Sequence, residues 1–522
     1  MSESTARTKE DLPPGNGFAR VRLDEPSRAF TDRQLWALLA ITVLGAALRL
    51  LGLGEWSFWV DEAHTWRDAT MPDSIFWESN RSWYPLSYLL LRWLLDAGLL
   101  THHSEGWLRL PFAFFGILSV PLLAIVGNML VGRSASLLAA LLLAVNPWHI
   151  YFSQNARSYV LVFFFALLGA GVFWLSVVRR SLLLLMASIL LVVLGVMSHP
   201  TAGLLFAPMA TYAWLAQRRL DSRSLMRTGL VLLLGVIVAQ VMSMVPPFHE
   251  FVRAKSDPSL LHLLQTIAFY FRPSLLLVAL VGVWLLMQTR LQGRILFLSC
   301  WVVVPLIALG VLGTSLVKVT ARYAFCTLPA VLLLCGAASV KIGEVLHQSI
   351  GKVANWGRLL PALVLPAIVC LDMVAYDFLY FTVQRGDRGQ WRDVAVHIQR
   401  TNTTGRMLVL TINEPTMQFY LRRWHYSEFG KADPYPGREV VSLETSNMAR
   451  QGGAAAYFDE LRSRAQAEQK ELYAVVTLPE LREKDPDGKL EESLREHLEL
   501  QAVFPIWVGP KDETIYVYRA RP

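Results

Sequence analysis

Trp59-Val60-Asp61-Glu62-Ala63-His64 follows directly on the first of many apolar stretches in this chain. Two adjacent acids beside a membrane-length apolar run are costly unless they face water, a cation or a ligand, so they read as a functional site. Outward from this point, apolar runs of about 20 residues recur through roughly the first 380 positions, and a spanning helix needs about that length. Of the 522 residues, 54% are hydrophobic and only 17% are charged, whereas soluble domains are usually about a quarter charged. Mean hydropathy is +0.38. The pattern predicts a polytopic α-helical membrane protein with about eleven transmembrane helices. They fall near 34–54, 108–131, 134–152, 159–178, 181–198, 201–217, 228–246, 274–289, 295–313, 323–340 and 359–380.

The net charge of +8 does not point to nucleic acid. The basic residues sit in short loops between spans, among them Arg133, Arg179, Arg180, Arg218, Arg219, Arg290, Arg294, Lys341, Lys352 and Arg358. Such loops mark the cytoplasmic side. Residues 1–33 are polar, basic and contain Pro and Gly, which suits a disordered cytoplasmic tail with no cleavable signal peptide. The alternate loops then lie outside. Residues 55–107 carry eight acids against three arginines and are rich in tryptophan, so the acidic pair faces the extracytoplasmic side. Within that loop, Leu86 to Leu100 reads as interfacial helix; a further span there would invert every later loop. The four cysteines fall in apolar segments and read as free thiols.

Three domains follow: the tail (1–33), a transmembrane domain (34–380) and an extracytoplasmic α/β domain (381–522). In the last, Met407 to Ile412, Leu472 to Leu478 and Ile515 to Tyr518 read as strands. Gln390 to Gln399 and Ala455 to Gln469 read as helices.

Several groups on the outer side carry chemistry. A half-desolvated carboxylate at Asp61 can orient a hydroxyl or accept its proton, and His64 lies three residues on, across one helical face. Ser153-Gln154-Asn155-Ala156-Arg157-Ser158-Tyr159 and Lys318-Val319-Thr320-Ala321-Arg322-Tyr323 each place cations on the side of Asp61, and an arginine fork suits phosphate oxygens. His199, in a short outer turn, is a weaker pocket candidate. Arg109 reads as a packing or topological arginine. His249 and Glu250 are weaker candidates to meet a metal or phosphate, in an outer loop that also holds Lys255, Tyr270 and Arg272.

Taken in order, several segments resemble the polyprenyl-phosphate-sugar glycosyltransferases of the GT-C fold, and most of all glycosyltransferase family 39 with its protein O-mannosyltransferases and lipid A aminoarabinose transferase. These are Phe58 to Ala63, Tyr84-Pro85-Leu86-Ser87-Tyr88, Leu108-Arg109-Leu110-Pro111, Asn146 to Gln154, Arg157-Ser158-Tyr159, Arg322-Tyr323 with Pro329, and Gln390-Trp391-Arg392-Asp393. The resemblance spans roughly residues 55–395. It implies Asp61, with Glu62, as the catalytic acids, and Arg322, Arg157 and Lys318 as ligands of the donor phosphate. It places His64, Asn155, Tyr159, His199 and Tyr323 around the pocket. Asn155 stands where related sequences often carry an acid, so no divalent cation is assigned, and His64 stands where a tyrosine is expected.

The resemblance further implies transfer, with inversion, of a sugar from a polyprenyl-phosphate donor to a glycan, lipid or protein hydroxyl, at the outer face of a plasma (inner) membrane. The N-terminus would be cytoplasmic, and the partners would be membrane lipids rather than nucleic acid. A lipid or sugar transporter or flippase is the competing class. It predicts paired internal repeats and broken helices at the midplane, and no half-to-half repeat is evident. A non-catalytic assembly protein with the same fold is the third reading.

Overall fold

The computed structural model of the chain describes residues 29–102, 104–216, 260–287, 291–315, 319–350, 360–422, 435–443, 453–485, 487–508 and 511–521. Its helices begin with α1 (Asp32–Leu50), α2 (Val60–Ala69), α3 (Asp73–Glu78), α4 (Leu86–Asp96) and α5 (Glu105–Val131). Next come α6 (Arg133–Ala144), α7 (Pro147–Ser153), α8 (Tyr159–Arg179), α9 (Leu182–Ser198) and α10 (Phe206–Ala216). The helical part ends with α11 (Leu260–Phe271), α12 (Pro273–Leu286), α13 (Gln292–Ser315), α14 (Leu328–Ile350) and α15 (Leu360–Thr382). A 3-10 turn at Ala321–Thr327 leads into α14.

Six of these elements are long and apolar enough to cross a membrane: α1, α5, α8, α13, α14 with its leading turn, and α15. Two bent pairs, α6 with α7 at 61° and α11 with α12 at 89°, raise the number to eight. Each bend sits just before a proline, Pro147 or Pro273, which cannot donate a backbone hydrogen bond to the preceding turn. The eleven spans expected are not reached among the described residues. The run at 181–198 yields the 17-residue α9. The run at 201–217 yields a 3-10 turn and the 11-residue α10. The run at 228–246 lies outside the described residues. Hydropathy measures apolar length and does not register a turn within it.

The helices pack through one continuous apolar core. Small residues allow close approach, as is usual between helices in lipid. A Cβ on Gly336 of α14 would collide with the backbone oxygen of Ala135 on α6. Large apolar side chains point outward from the bundle, Leu277, Trp284, Leu371 and Phe378 among them, the arrangement expected where lipid is the solvent.

The segment after α1 folds as a small body. Phe58, Trp66, Phe76, Tyr88 and Leu91 form a separate buried cluster across α2, α3 and α4. Helix α4 has 11 residues, or about 16 Å, half the thickness of a bilayer core. It therefore cannot be a span, in line with the interfacial reading.

After α15 comes α16 (Trp391–Thr401), then a five-stranded mixed sheet of order β2-β1-β3-β7-β4. β1 (Met407–Thr411) pairs in parallel with β2 (Arg438–Ser442) and β3 (Glu471–Thr477). β7 (Ile515–Ala520) runs antiparallel to both β3 and β4 (Leu498–Phe504). Strands β5 (Trp507–Val508) and β6 (Lys511–Asp512) form a separate small hairpin. The three strands expected are β1, β3 and β7; β1 and β3 are buried along most of their length and β7 along half of its own. The two not foreseen are the sheet edges; β4 buries only Leu498 fully, so its apolar pattern is too weak to read.

Candidate functional site

Helix α2 is the foundation of the site. It starts at Trp59, whose backbone N–H donates to Glu62 Oε2 at 3.0 Å, and both acids lie in its first turn, where the positive helix end favours them. About 100° of helical rotation separates neighbouring residues, so Asp61 and Glu62 face different surroundings.

Glu62 is fully buried. Arg109 of α5 donates to it through Nε at 2.7 Å and Nη2 at 2.9 Å. Arg388, just beyond α15, donates through Nε at 3.1 Å. The backbone N–H of Ala156 donates at 2.9 Å. Burial raises the Glu62 carboxyl, but Arg109 and Arg388 outweigh it and hold the group down at about 2. Both arginines are themselves buried. Arg109 also donates to the carbonyls of Leu53, Trp56 and Ser57, and Arg388 to those of Gly386 and Gln154. Every Glu62 oxygen is taken by protein donors, so this acid is closed to a ligand.

Asp61 is different. Its side chain keeps 24% exposure. Arg322 Nη1 donates to Oδ2 at 3.1 Å, and Arg157 Nη2 lies 3.8 Å from the same oxygen. Arg157 is held from below by the Asp61 carbonyl and Thr65 Oγ1. Burial pushes the Asp61 carboxyl up, but Arg157, Arg322 and His64 prevail and keep it below its usual value of 3.8. Arg322 sits 5.8 Å from the ring centres of both Trp59 and Tyr159. His199 stacks near Tyr159 at 5.1 Å, Tyr323 at 5.8 Å and Tyr84 at 6.2 Å. Its Nδ1 faces the backbone N–H of Thr201 at 3.3 Å. Burial, with Arg157 and Arg322 nearby, lowers the imidazole to about 3; it is neutral at physiological pH.

The structure thus gathers Asp61, Arg157, Arg322, Tyr159, His199 and Tyr323 into one partly exposed cluster, and sets Glu62 behind it. His64 lies beside this cluster, with Nδ1 3.0 Å from Arg67 Nη2. Asn155 is fully buried, and neither its Oδ1 nor its Nδ2 has a hydrogen-bond partner among the described residues. Lys318, His249, Glu250 and Lys255 lie outside the described residues. No three His, Cys, Asp or Glu side chains come together to hold a metal ion among the described residues. Among the described residues, the two guanidinium groups against Asp61 do not make a donor set that fits a divalent cation.

Sequence reasoning passed over Arg388, although it stands two residues before the Gln390-Trp391-Arg392-Asp393 motif. It also left open how the C-terminal domain meets the loop. Tyr420 Oη accepts from Phe58 N–H at 2.7 Å and donates to Glu105 at 2.8 Å. Phe419 completes the small apolar body, with its ring 4.6 Å from Phe58 and 5.0 Å from Trp66.

No protein-family model matches the chain, and no characterised protein matches it by sequence. Solved structures do. ArnT from Cupriavidus metallidurans in the apo state aligns with a TM-score of 0.53 and 14% identity, covering 94% of this chain and 100% of that one. The same protein bound to undecaprenyl phosphate aligns at 0.50 over the same shares. The archaeal oligosaccharyltransferase AglB from Archaeoglobus fulgidus, in complex with an inhibitory peptide and a dolichol-phosphate, aligns at 0.53 with 12% identity. That match covers 93% of this chain and 74% of AglB. The likeness takes in both the helical bundle and the sheet domain, and it bears out the architecture expected from the ordered motifs: this chain is a membrane protein of the GT-C fold.

Proposed function

We infer that this protein is a glycosyltransferase that moves a sugar from a polyprenyl-phosphate donor to an acceptor hydroxyl. The observation that carries the reading is Asp61 lying about a quarter exposed against Arg322 and Arg157, while its neighbour Glu62 is sealed. One acid is free to meet an acceptor, and two cations are placed to meet a phosphate. The fold supports it, since its solved neighbours include one bound to undecaprenyl phosphate and one in complex with a dolichol-phosphate.

In this scheme the acceptor oxygen attacks the anomeric carbon as the bond from that carbon to the phosphate oxygen breaks, with inversion. The leaving group is the lipid phosphate. Arg322 and Arg157 stabilise the charge that develops on it, an effect that is large in a water-poor pocket. Those guanidinium groups are shared. While they pair with Asp61, the carboxylate is a weak base. A donor phosphate drawing them away restores its basicity, so that Asp61 orients the hydroxyl and takes its proton. His199, neutral and with Nδ1 occupied, offers only Nε2–H. Glu62 is a positioning residue and not a second catalytic acid, a revision of its expected role. No step is routed through a metal ion. The pocket and the sheet domain face the extracytoplasmic side in this reading, with the N-terminus cytoplasmic in a plasma (inner) membrane.

The test is transfer of radiolabelled sugar from polyprenyl-phosphate donors in membranes carrying wild-type or Asp61→Asn protein. Label reaching an acceptor only with wild type supports the reading. Donor binding without transfer by wild type, or retained configuration in the product, would overturn it in favour of a transporter or a non-catalytic protein.

A further inference from the structure

His64 follows Asp61 by three residues on α2, and the mechanism above gives it no part. Residues at that spacing share a helix face, with Cβ atoms about 5–6 Å apart. The ring's Nδ1 is 3.0 Å from Arg67 Nη2. An arginine can only donate, so Nδ1 accepts and carries no proton. In the neutral ring the proton is then on Nε2. Burial and Arg67 lower the imidazole to about 4, which keeps it uncharged at neutral pH. Nε2 has no partner among the described residues, and the side chain is only partly buried. An uncharged donor thus stands beside the open carboxylate.

The arginine that sets this tautomer is fixed from two further sides. Its Nε donates to Asp68 at 3.2 Å. Asp68 is buried, and its other oxygen accepts from Arg81 Nε at 2.8 Å. Arg67 Nη1 donates to Glu414 at 3.5 Å. Glu414 belongs to the sheet domain, at the start of the short helix Glu414–Met417 that follows β1. All three guanidinium nitrogens are therefore engaged, and a line of contacts runs from the sheet domain through Glu414 and Arg67 to His64.

We propose that His64 is an acceptor-binding residue: its Nε2–H donates to an oxygen of the acceptor next to the hydroxyl that Asp61 activates, and Arg67 and Glu414 are positioning residues through which the sheet domain sets that contact. The proposal rests on the transferase reading. A donor phosphate is already met by Arg157 and Arg322, and charged donors hold it better than a neutral one. The reacting hydroxyl gives its proton to Asp61 and needs a lone pair for attack. The bond from His64 therefore goes to a neighbouring hydroxyl, ether or carbonyl oxygen. Without the Arg67 contact the ring has no fixed tautomer and the donor is lost for part of the time.

The experiment has two arms on full-length protein. In membranes, radiolabelled sugar on a polyprenyl phosphate is divided between transfer to the resident acceptor and release as free sugar by water. His64→Ala should lower the ratio of transfer to release about tenfold, the loss of one good hydrogen bond, with KM for the donor unchanged. His64→Gln puts an amide N–H where Nε2–H stood and should restore most of the ratio. Glu414→Gln should lower it by less, and should add nothing to His64→Ala. An unchanged ratio in His64→Ala overturns the proposal. So does an equal loss in the Ala and Gln variants together with weaker donor binding, which marks a purely structural residue. The second arm is 15N NMR of histidine-labelled protein in nanodiscs. Of the eleven histidines, the signal missing in His64→Gln should be that of a neutral ring protonated on Nε2. A ring protonated on Nδ1, or on both nitrogens, at pH 7 also overturns the proposal. Wild type that transfers no sugar at all sinks the transferase reading, whereas wild type that transfers sugar regardless of His64 sinks this proposal alone.

Discussion

The two sides of α2 present a contrast within a single helical turn. On one, Glu62 is closed in by two buried arginines, a backbone N–H of the Ala156 loop and its own helix start. On the other, Asp61 keeps a quarter of its surface and meets arginines that are themselves partly exposed. Equal chemistry in the sequence has become a sealed ion cluster and an open one. The difference teaches that burial and the number of fixed donors decide what a carboxylate does.

Breaking the contrast on the open side should have the largest effect on chemistry. Asp61→Asn is expected to lower transfer by on the order of 10³-fold, the size of a general-base contribution. The protein should still insert and melt at the wild-type temperature, as followed by thermal unfolding of the purified protein. Glu62→Gln should do the reverse and act first on stability. It leaves Arg109 and Arg388 facing a neutral amide, and breaking a buried pair costs about 3–5 kcal/mol. A lowered melting temperature and poor yield are the readouts; a fully stable Glu62→Gln protein with only kcat lost would return Glu62 to the chemistry.

Arg322→Lys tests the cationic side. Lysine keeps the charge but not the planar fork. About 10²-fold should be lost in kcat/KM for the donor, in the range seen when one donor to a developing charge is removed. Equal losses with different acceptors and one fixed donor would support its place at the phosphate.

The smallest effects concern pH. Burial and Arg67 lower His64 to about 4, from 6.5. Its unfolded form binds a proton that the folded form refuses, so stability is lost as pH falls from 6.5 through 4. His64→Gln should flatten that part of the melting profile. Glu62 adds a second loss. Its stabilising contribution is complete above about 4.5 and declines as pH falls toward about 2. The acid limb of kcat/KM, which reports the free enzyme, should lie below the ordinary carboxylate value of 3.8, because Arg157 and Arg322 hold Asp61 ionised there, and that of kcat should lie higher, once the donor phosphate has drawn the arginines away.

Much was legible in the sequence. Apolar runs of bilayer length require helices, because lipid satisfies no backbone group. An acidic pair next to the first run, with Arg157 and Arg322 on the same side, marks the site. The central strands β1, β3 and β7 announce themselves by continuous apolar residues. The rest depended on contacts far apart in the chain. Arg109 meets Glu62 across 47 residues and Arg388 meets it across 326, and no local pattern encodes either distance. The sequence by itself determined a membrane-embedded helical protein with its candidate site near residues 59–64. Only the tertiary structure decided which acid of the pair stays open, because that choice depends on which distant arginines reach each side of one helix.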